Sequence, residues 1–179
     1  GANATRGNSE TTDLRFGLNA ARETDRRRIK LSAAYYGATS DGETTDNAIT
    51  ALGRHDWLIP DSPWFYFARG SYDFDQFEAW RHRVAGHGGV GYTWEPAANL
   101  TITHRAGVGF AKEFGDEADD LRPEALAGAE LTWAATENQQ LEASTFVFPD
   151  LDEFGESRIT SALAWSIKMP DLEGLGLKL

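Results

Sequence analysis

Along most of this chain apolar and polar side chains alternate one for one, and the alternating stretches are joined by connections that are tight and polar at one end, longer and acidic at the other. A period of two puts successive side chains on opposite faces, so each stretch reads as a β-strand with one oily and one wet face. Over residues 13–21, Leu14, Phe16, Leu18 and Ala20 oppose Asp13, Arg15 and Asn19. Over 28–36, Ile29, Leu31, Ala33 and Tyr35 oppose Lys30, Ser32 and Tyr36. The same holds for Leu100, Ile102, Val108 and Phe110 against Thr101, Thr103 and Arg105, and for Ile159, Leu163, Trp165 and Ile167 against Arg158, Thr160, Ser166 and Lys168. The tight connections fall near Glu23, at 58–63, at 95–98, near Glu137 and near Pro170; the long ones fall at 6–11, 39–45, 73–78, 112–120 and 149–156. Such a rhythm is that of an antiparallel up-and-down meander that closes into a barrel.

Alternation alone does not say which face is outside, but the large aromatics do. Trp57, Trp64, Trp94 and Trp133 lie within a few residues of the tight turns, with Tyr92 and Trp165 nearby, while Phe74, Trp80, Phe110, Phe146 and Phe148 lie toward the long loops. Amphipathic rings prefer headgroup depth, so two aromatic bands at opposite strand ends suit a barrel that spans a membrane. Trp57, Trp64, Trp80, Trp94, Trp133 and Trp165 are the candidate girdle. Two strands carry apolar groups on both faces and are oriented by their tryptophans: Ile49, Ala51, Gly53 and Trp57 outward, then Trp64, Tyr66, Ala68 and Tyr72 outward. Phe65 and Phe67 are thereby left inward, which costs the reading something.

The expectation is an all-β fold, one domain over residues 1–179, closing into a transmembrane-type barrel of about ten strands in the bacterial outer membrane, with the lipid bilayer as its partner. Barrels of this kind have even strand counts, so ten are expected as this chain folds, or twelve in a longer parent with the first strand clipped and the last missing. Leu179 stands where outer-membrane proteins end on an aromatic, which favours clipping. The 41% hydrophobic content and mean hydropathy of -0.47 would also fit a soluble domain, because only every second residue of a membrane strand faces lipid.

With no cysteine, thiol catalysis, disulfides and cysteine-ligated metals are excluded. A formal charge of -11 argues against a nucleic-acid partner, which needs clustered Lys and Arg. The acid is gathered in the long loops: Asp41 and Glu43, Asp73 with Asp75 and Glu78, then 113–120 and 150–156. Asp116, Glu117, Asp119 and Asp120, and separately Asp150, Asp152 and Glu153, offer hard oxygen ligands for weak divalent-cation binding that would bridge lipopolysaccharide phosphates. Neither set has calcium-loop spacing, so no metal site is assigned.

Charged residues crowd the wet face. Arg69, Asp73, Arg81, Arg83, Arg105, Glu124, Glu130 and Arg158 are the candidate lumen network. In so narrow a barrel they would pair across the middle as a structural plug, with a selective constriction as the other reading. Gly86-His87-Gly88-Gly89-Val90-Gly91 matches a dinucleotide fingerprint but is followed by a strand end and turn, so it reads as structural glycine; Gly89 and Gly91 are expected opposite Arg105 and Thr103. His104 falls on the oily face with no serine or carboxylate beside it, so no catalytic residue and no cofactor is assigned. The function expected is a structural, envelope-maintaining or narrow-pore barrel without catalysis. The alternative is a soluble antiparallel barrel holding an apolar small molecule in its lumen, which would turn Leu14, Phe16, Leu31, Ile102 and Leu163 inward.

Several short segments, in order, carry a resemblance. These are Arg6-Gly7-Asn8, Arg54-His55-Asp56-Trp57, Trp64-Phe65-Tyr66-Phe67, Asp73-Phe74-Asp75-Gln76-Phe77 with Arg81, Gly88-Gly89-Val90-Gly91-Tyr92 and Ala106-Gly107-Val108-Gly109. Together they resemble the domain-of-unknown-function family numbered 481, described as salt-induced outer membrane proteins, over nearly the whole chain. The resemblance implies an outer-membrane barrel with no assigned reaction and no catalytic residues to carry over.

Overall fold

The computed structural model describes residues 11–115, 121–153 and 155–168 in full, and the backbone of 2–5 and 176–178. A short strand β1 (Ala2–Thr5) precedes nine long ones: β2 (Thr11–Thr24), β3 (Arg27–Ser40), β4 (Glu43–Leu58), β5 (Trp64–Asp75), β6 (His82–Ala97), β7 (Leu100–Phe114), β8 (Leu121–Thr136), β9 (Gln139–Pro149) and β10 (Ser157–Lys168). A short β11 (Gly176–Lys178) follows. Every strand pairs antiparallel with the next in one sheet. The long strands curl into a half-barrel whose concave face brings β4 within reach of β7 and β8, Arg54 meeting Glu130 and Arg105 meeting Asp56. The fold is thus all-β and a meander, as the alternation requires; in the observed pairing β1 and β11 are the two edges of the sheet.

One expected long loop is a tight turn. Asp41 and Gly42 take φ of 52° and 84°, so two left-handed residues close a two-residue hairpin between β3 and β4. The strands therefore run on to Ser40 and Glu43, with a register shift at Ala38/Thr39. Residues 6–10 and 116–120 of the other expected loops, and Pro170, lie outside the described residues.

The convex face carries the alternating apolar residues: Phe16 is 62% exposed, Leu18 69% and Leu163 73%. On the concave face lies a cluster of Phe65, Phe67, Leu126, Phe146 and Phe148, each buried, with Leu58 packed against it. Burying a phenylalanine contributes about 1.5–3 kcal/mol. Phe65 and Phe67 therefore form the core, and the expected cost of turning them inward does not arise. Phe146 and Phe148, by contrast, were expected in the loop-side girdle. Their strand parity points them inward, at 7% and 2% exposure, and so they pack rather than meet solvent.

A single register row explains how the rings fit. Leu58, Phe65, Gly91, Arg105, Gly128, Phe146 and Thr160 stand side by side across seven strands. A Cβ on Gly91 would fall inside the Phe65 ring, and one on Gly128 inside the Phe146 ring. Each ring thus lies flat over the glycine of the neighbouring strand, the arrangement by which aromatics cover strand glycines. Gly91 stands opposite Arg105 and Gly89 opposite Gly107, two residues from the expected pairing, because Trp94 pairs with Ile102 and not near Leu100. An even shift keeps each side chain on its face.

Gly91→Ala is expected to destabilise the fold by about 1–3 kcal/mol through overpacking. Gly17→Ala, where an added Cβ meets nothing within 4 Å, should change stability by no more than about 0.5 kcal/mol. Urea unfolding midpoints of the two variants in detergent check the difference.

Candidate functional site: an ion-paired interior

Strand parity aims the charged residues of the concave face at one another, and the curl of the sheet brings two groups of them together. Toward the tight turns, Asp56 on β4 faces three guanidinium groups. Arg105 lies 2.7 Å from it, and Arg28 and Arg54 lie 3.5 Å away each. Arg54 reaches Glu130 on β8 at 2.8 Å, and Arg105 also meets Glu130. Asp56 is fully buried and Arg105 is 4% exposed. The Arg105 guanidinium sits 5.0 Å from the centroid of the Phe65 ring, and the Arg28 guanidinium lies 5.4 Å from the centroid of the same ring. Cation–π contact of this kind adds about 2 kcal/mol when desolvated.

Toward the long loops the second group centres on Glu124. Its carboxylate contacts His87 Nε2 at 3.0 Å, Arg158 at 3.1 Å and Arg83 at 3.4 Å, and Arg83 reaches Glu113 at 3.5 Å. Arg158 lies 3.9 Å over the Phe148 ring, and Arg69 lies 4.7 Å over Phe146. Asp73 stands opposite Arg83 in the β5–β6 register. The phenylalanine cluster packs against both ionic groups, with Arg28 and Arg105 over Phe65 on one side and Arg158 over Phe148 on the other. This arrangement satisfies buried charges by pairing, and removing one partner leaves the other uncompensated.

Of the lumen residues expected from sequence, Arg69, Asp73, Arg83, Arg105, Glu124, Glu130 and Arg158 fall on this face. Arg81 does not join them. It lies exposed in the connection between β5 and β6, at φ 36°, bridging Phe114. Sequence reasoning missed Arg28, Arg54, Asp56 and His87. The signal was present in parity: Arg54 and Asp56 alternate with outward His55 and Trp57, Arg28 is two residues from Lys30, and His87 is two from Gly89.

Trp57, Trp64, Trp94, Trp133 and Trp165 are between 40% and 51% exposed on the convex face, near the tight turns. Trp80 lies apart from them, in the connection between β5 and β6. His104 is exposed on the convex face between Tyr92 and Ala129 in register, with neither serine nor carboxylate opposite it.

In the described part of the acidic loops, Asp150 folds back on its own chain. The backbone N–H groups of Glu153 and Asp152 donate to its Oδ1 at 3.1 and 2.8 Å, and this holds its carboxyl below the usual carboxylate range. Among the described residues no group of three or more His, Asp or Glu is placed to hold a metal ion. Asp116, Glu117, Asp119 and Asp120 lie outside the described residues.

Two outcomes test this geometry. Asp56→Ala removes the buried carboxylate that three guanidinium groups share and is expected to cost about 3–5 kcal/mol, whereas Glu23→Ala, which removes a largely exposed carboxylate, should cost no more than about 1 kcal/mol; thermal unfolding in detergent separates them. For Asp150 the folded carboxyl titrates below its unfolded value of 3.8. Its turn is therefore fully held above that pH and loosens as the pH falls through the depressed value. Amide exchange at Asp152 and Glu153 should stay protected at pH 5 and lose protection only well below pH ~4.

No curated relative matches the chain. A family model covers it from end to end, over residues 1–179, and by that match the chain belongs to DUF481, a protein family of unknown function.

Proposed function

We propose that the half-barrel is the greater part of a closed, membrane-spanning β-barrel of the bacterial outer membrane, and that it acts as a filled structural element of the envelope. The observation that carries this reading is the inversion of its faces. Large apolar side chains such as Phe16, Leu18, Val108, Ile159 and Leu163 cover the convex side at 62–73% exposure, while Asp56, Arg105, Glu124 and His87 are buried on the concave side at 5% or less. Water would disfavour so wide an apolar surface, whereas lipid matches it. The tryptophans near the tight turns support a headgroup anchor at that end. A soluble barrel with an apolar cargo would show the opposite addresses for Phe16 and Leu163.

The interior supports a plug more than a pore. At about ten strands the lumen is scarcely wider than the eight-stranded case that side chains fill, and here the rings and guanidinium groups already meet across it. No catalysis is assigned, and the bilayer is the partner.

In planar bilayers the protein is expected to be silent, and Arg105→Ala combined with Glu130→Ala to pass measurable current, because the pair that spans β7 and β8 to β4 is gone. Steady conductance by the unaltered protein would favour a narrow pore instead. Monodisperse solubility without detergent would overturn the membrane reading itself.

A further inference from the structure

The two short strands cover complementary halves of the same gap. β1 sits on the free edge of β2 at its loop end, with Ala2 opposite Leu14 and Thr5 opposite Thr11. β11 sits on the free edge of β10 at its turn end, with Gly176 opposite Lys168 and Lys178 opposite Ser166. The uncovered remainders are residues 15–24 of β2, toward the turns, and 157–165 of β10, toward the loops. Direction agrees as well. β2 and β10 both run from loop end to turn end, being even members of an antiparallel meander, so β1 and β11 both run from turn end to loop end.

From this we infer that β11 and β1 lie end to end as one composite strand, β11 forming its turn half against β2 and β1 its loop half against β10. The inference rests on the barrel reading above and specifies how the cylinder closes. Nine long strands and one shared strand make ten, all antiparallel, which satisfies the even count of single-chain barrels. Direct contact of β2 with β10 would be parallel, and both edges are partly occupied already. A twelve-stranded closure would need a further strand between β1 and β11, and nothing in it would make those two segments cover opposite halves. The driving force is backbone satisfaction: each N–H or C=O left open to hydrocarbon costs several kcal/mol, so the free edges of β2 and β10 demand partners.

The chain has no cysteine, so introduced pairs report without background. Paired strands hold Cα atoms about 4.5–5.5 Å apart, within the range a disulfide spans. Leu177→Cys would be combined in turn with Leu18→Cys, Ala20→Cys and Arg22→Cys, and Ala4→Cys with Ile159→Cys, Ser161→Cys and Leu163→Cys. Ser144→Cys with Ala162→Cys, partners in the β9–β10 register, is the control for a folded meander. In the full chain in detergent micelles or liposomes, at least one pair on each side should give an intramolecular cross-link under mild oxidation, as efficiently as the control. Control cross-links without seam cross-links, or seam cross-links only between two copies, would overturn the composite strand. Membrane uptake of the same variants is scored separately. Seam cross-links without uptake would sink the membrane reading and leave the seam; uptake without them would do the reverse.

Discussion

Arg105 and Asp56 meet at 2.7 Å in the middle of the concave face, and much of the architecture follows from making that contact tolerable. Both groups are almost out of reach of water. Ion pairs so placed persist only if their charges are compensated by near neighbours and their surroundings are well packed. Arg28 and Arg54 share the Asp56 carboxylate, Glu130 takes the other side of Arg105, and the Phe65 and Phe67 rings offer their faces to its guanidinium. The rings fit there because Gly91 and Gly128 flank Arg105 in the register row and carry no side chain to obstruct them. Six strands, β3 to β8, are thus tied to one charge.

That tie also sets the faces. Once charge and rings occupy the concave side, period-two alternation sends Phe16, Val108, Ile159 and Leu163 to the convex side, where they form an exposed apolar surface. The same parity gives the protein a low overall hydropathy despite that surface. The second ionic group, around Glu124, repeats the device toward the loops, where His87 and Arg158 converge from β6 and β10. Two ionic groups with rings packed against them fill much of the concave face, which is the physical ground for the proposal of a wall rather than a conduit.

Much of this was legible in the chain. The meander, the turn positions near Asp25, Ala98 and Asn138, and the outward tryptophans follow from alternation and turn residues, which are local signals. The inward placement of Phe65 and Phe67 was legible only through Trp64 and Tyr66 beside them. What parity could not supply was the partner across the concave face. Asp56 looked like one acid in a strand with apolar groups on both faces, and its importance arises from β7 folding over it, a contact 49 residues distant in sequence. The Asp41-Gly42 hairpin was masked by its acidic neighbours, which read as a long loop. Phe146 and Phe148 were placed by their nearness to a loop, when their parity with Glu142 and Ser144 already put them inside. The pairing of Trp94 with Ile102, two residues beyond Leu100, is invisible to alternation because the offset is even.

The central claim is that grease lies outside and charge inside a membrane-borne wall, and spin labels at single cysteines along residues 158–168 of β10 in liposomes test it most directly. Collision with oxygen, which dissolves in lipid, should peak at Ile159, Ser161, Leu163, Trp165 and Ile167 and fall at the intervening positions. Labels equally accessible to an aqueous nickel reagent at Leu163 and Ala162, with no period of two, would contradict the account.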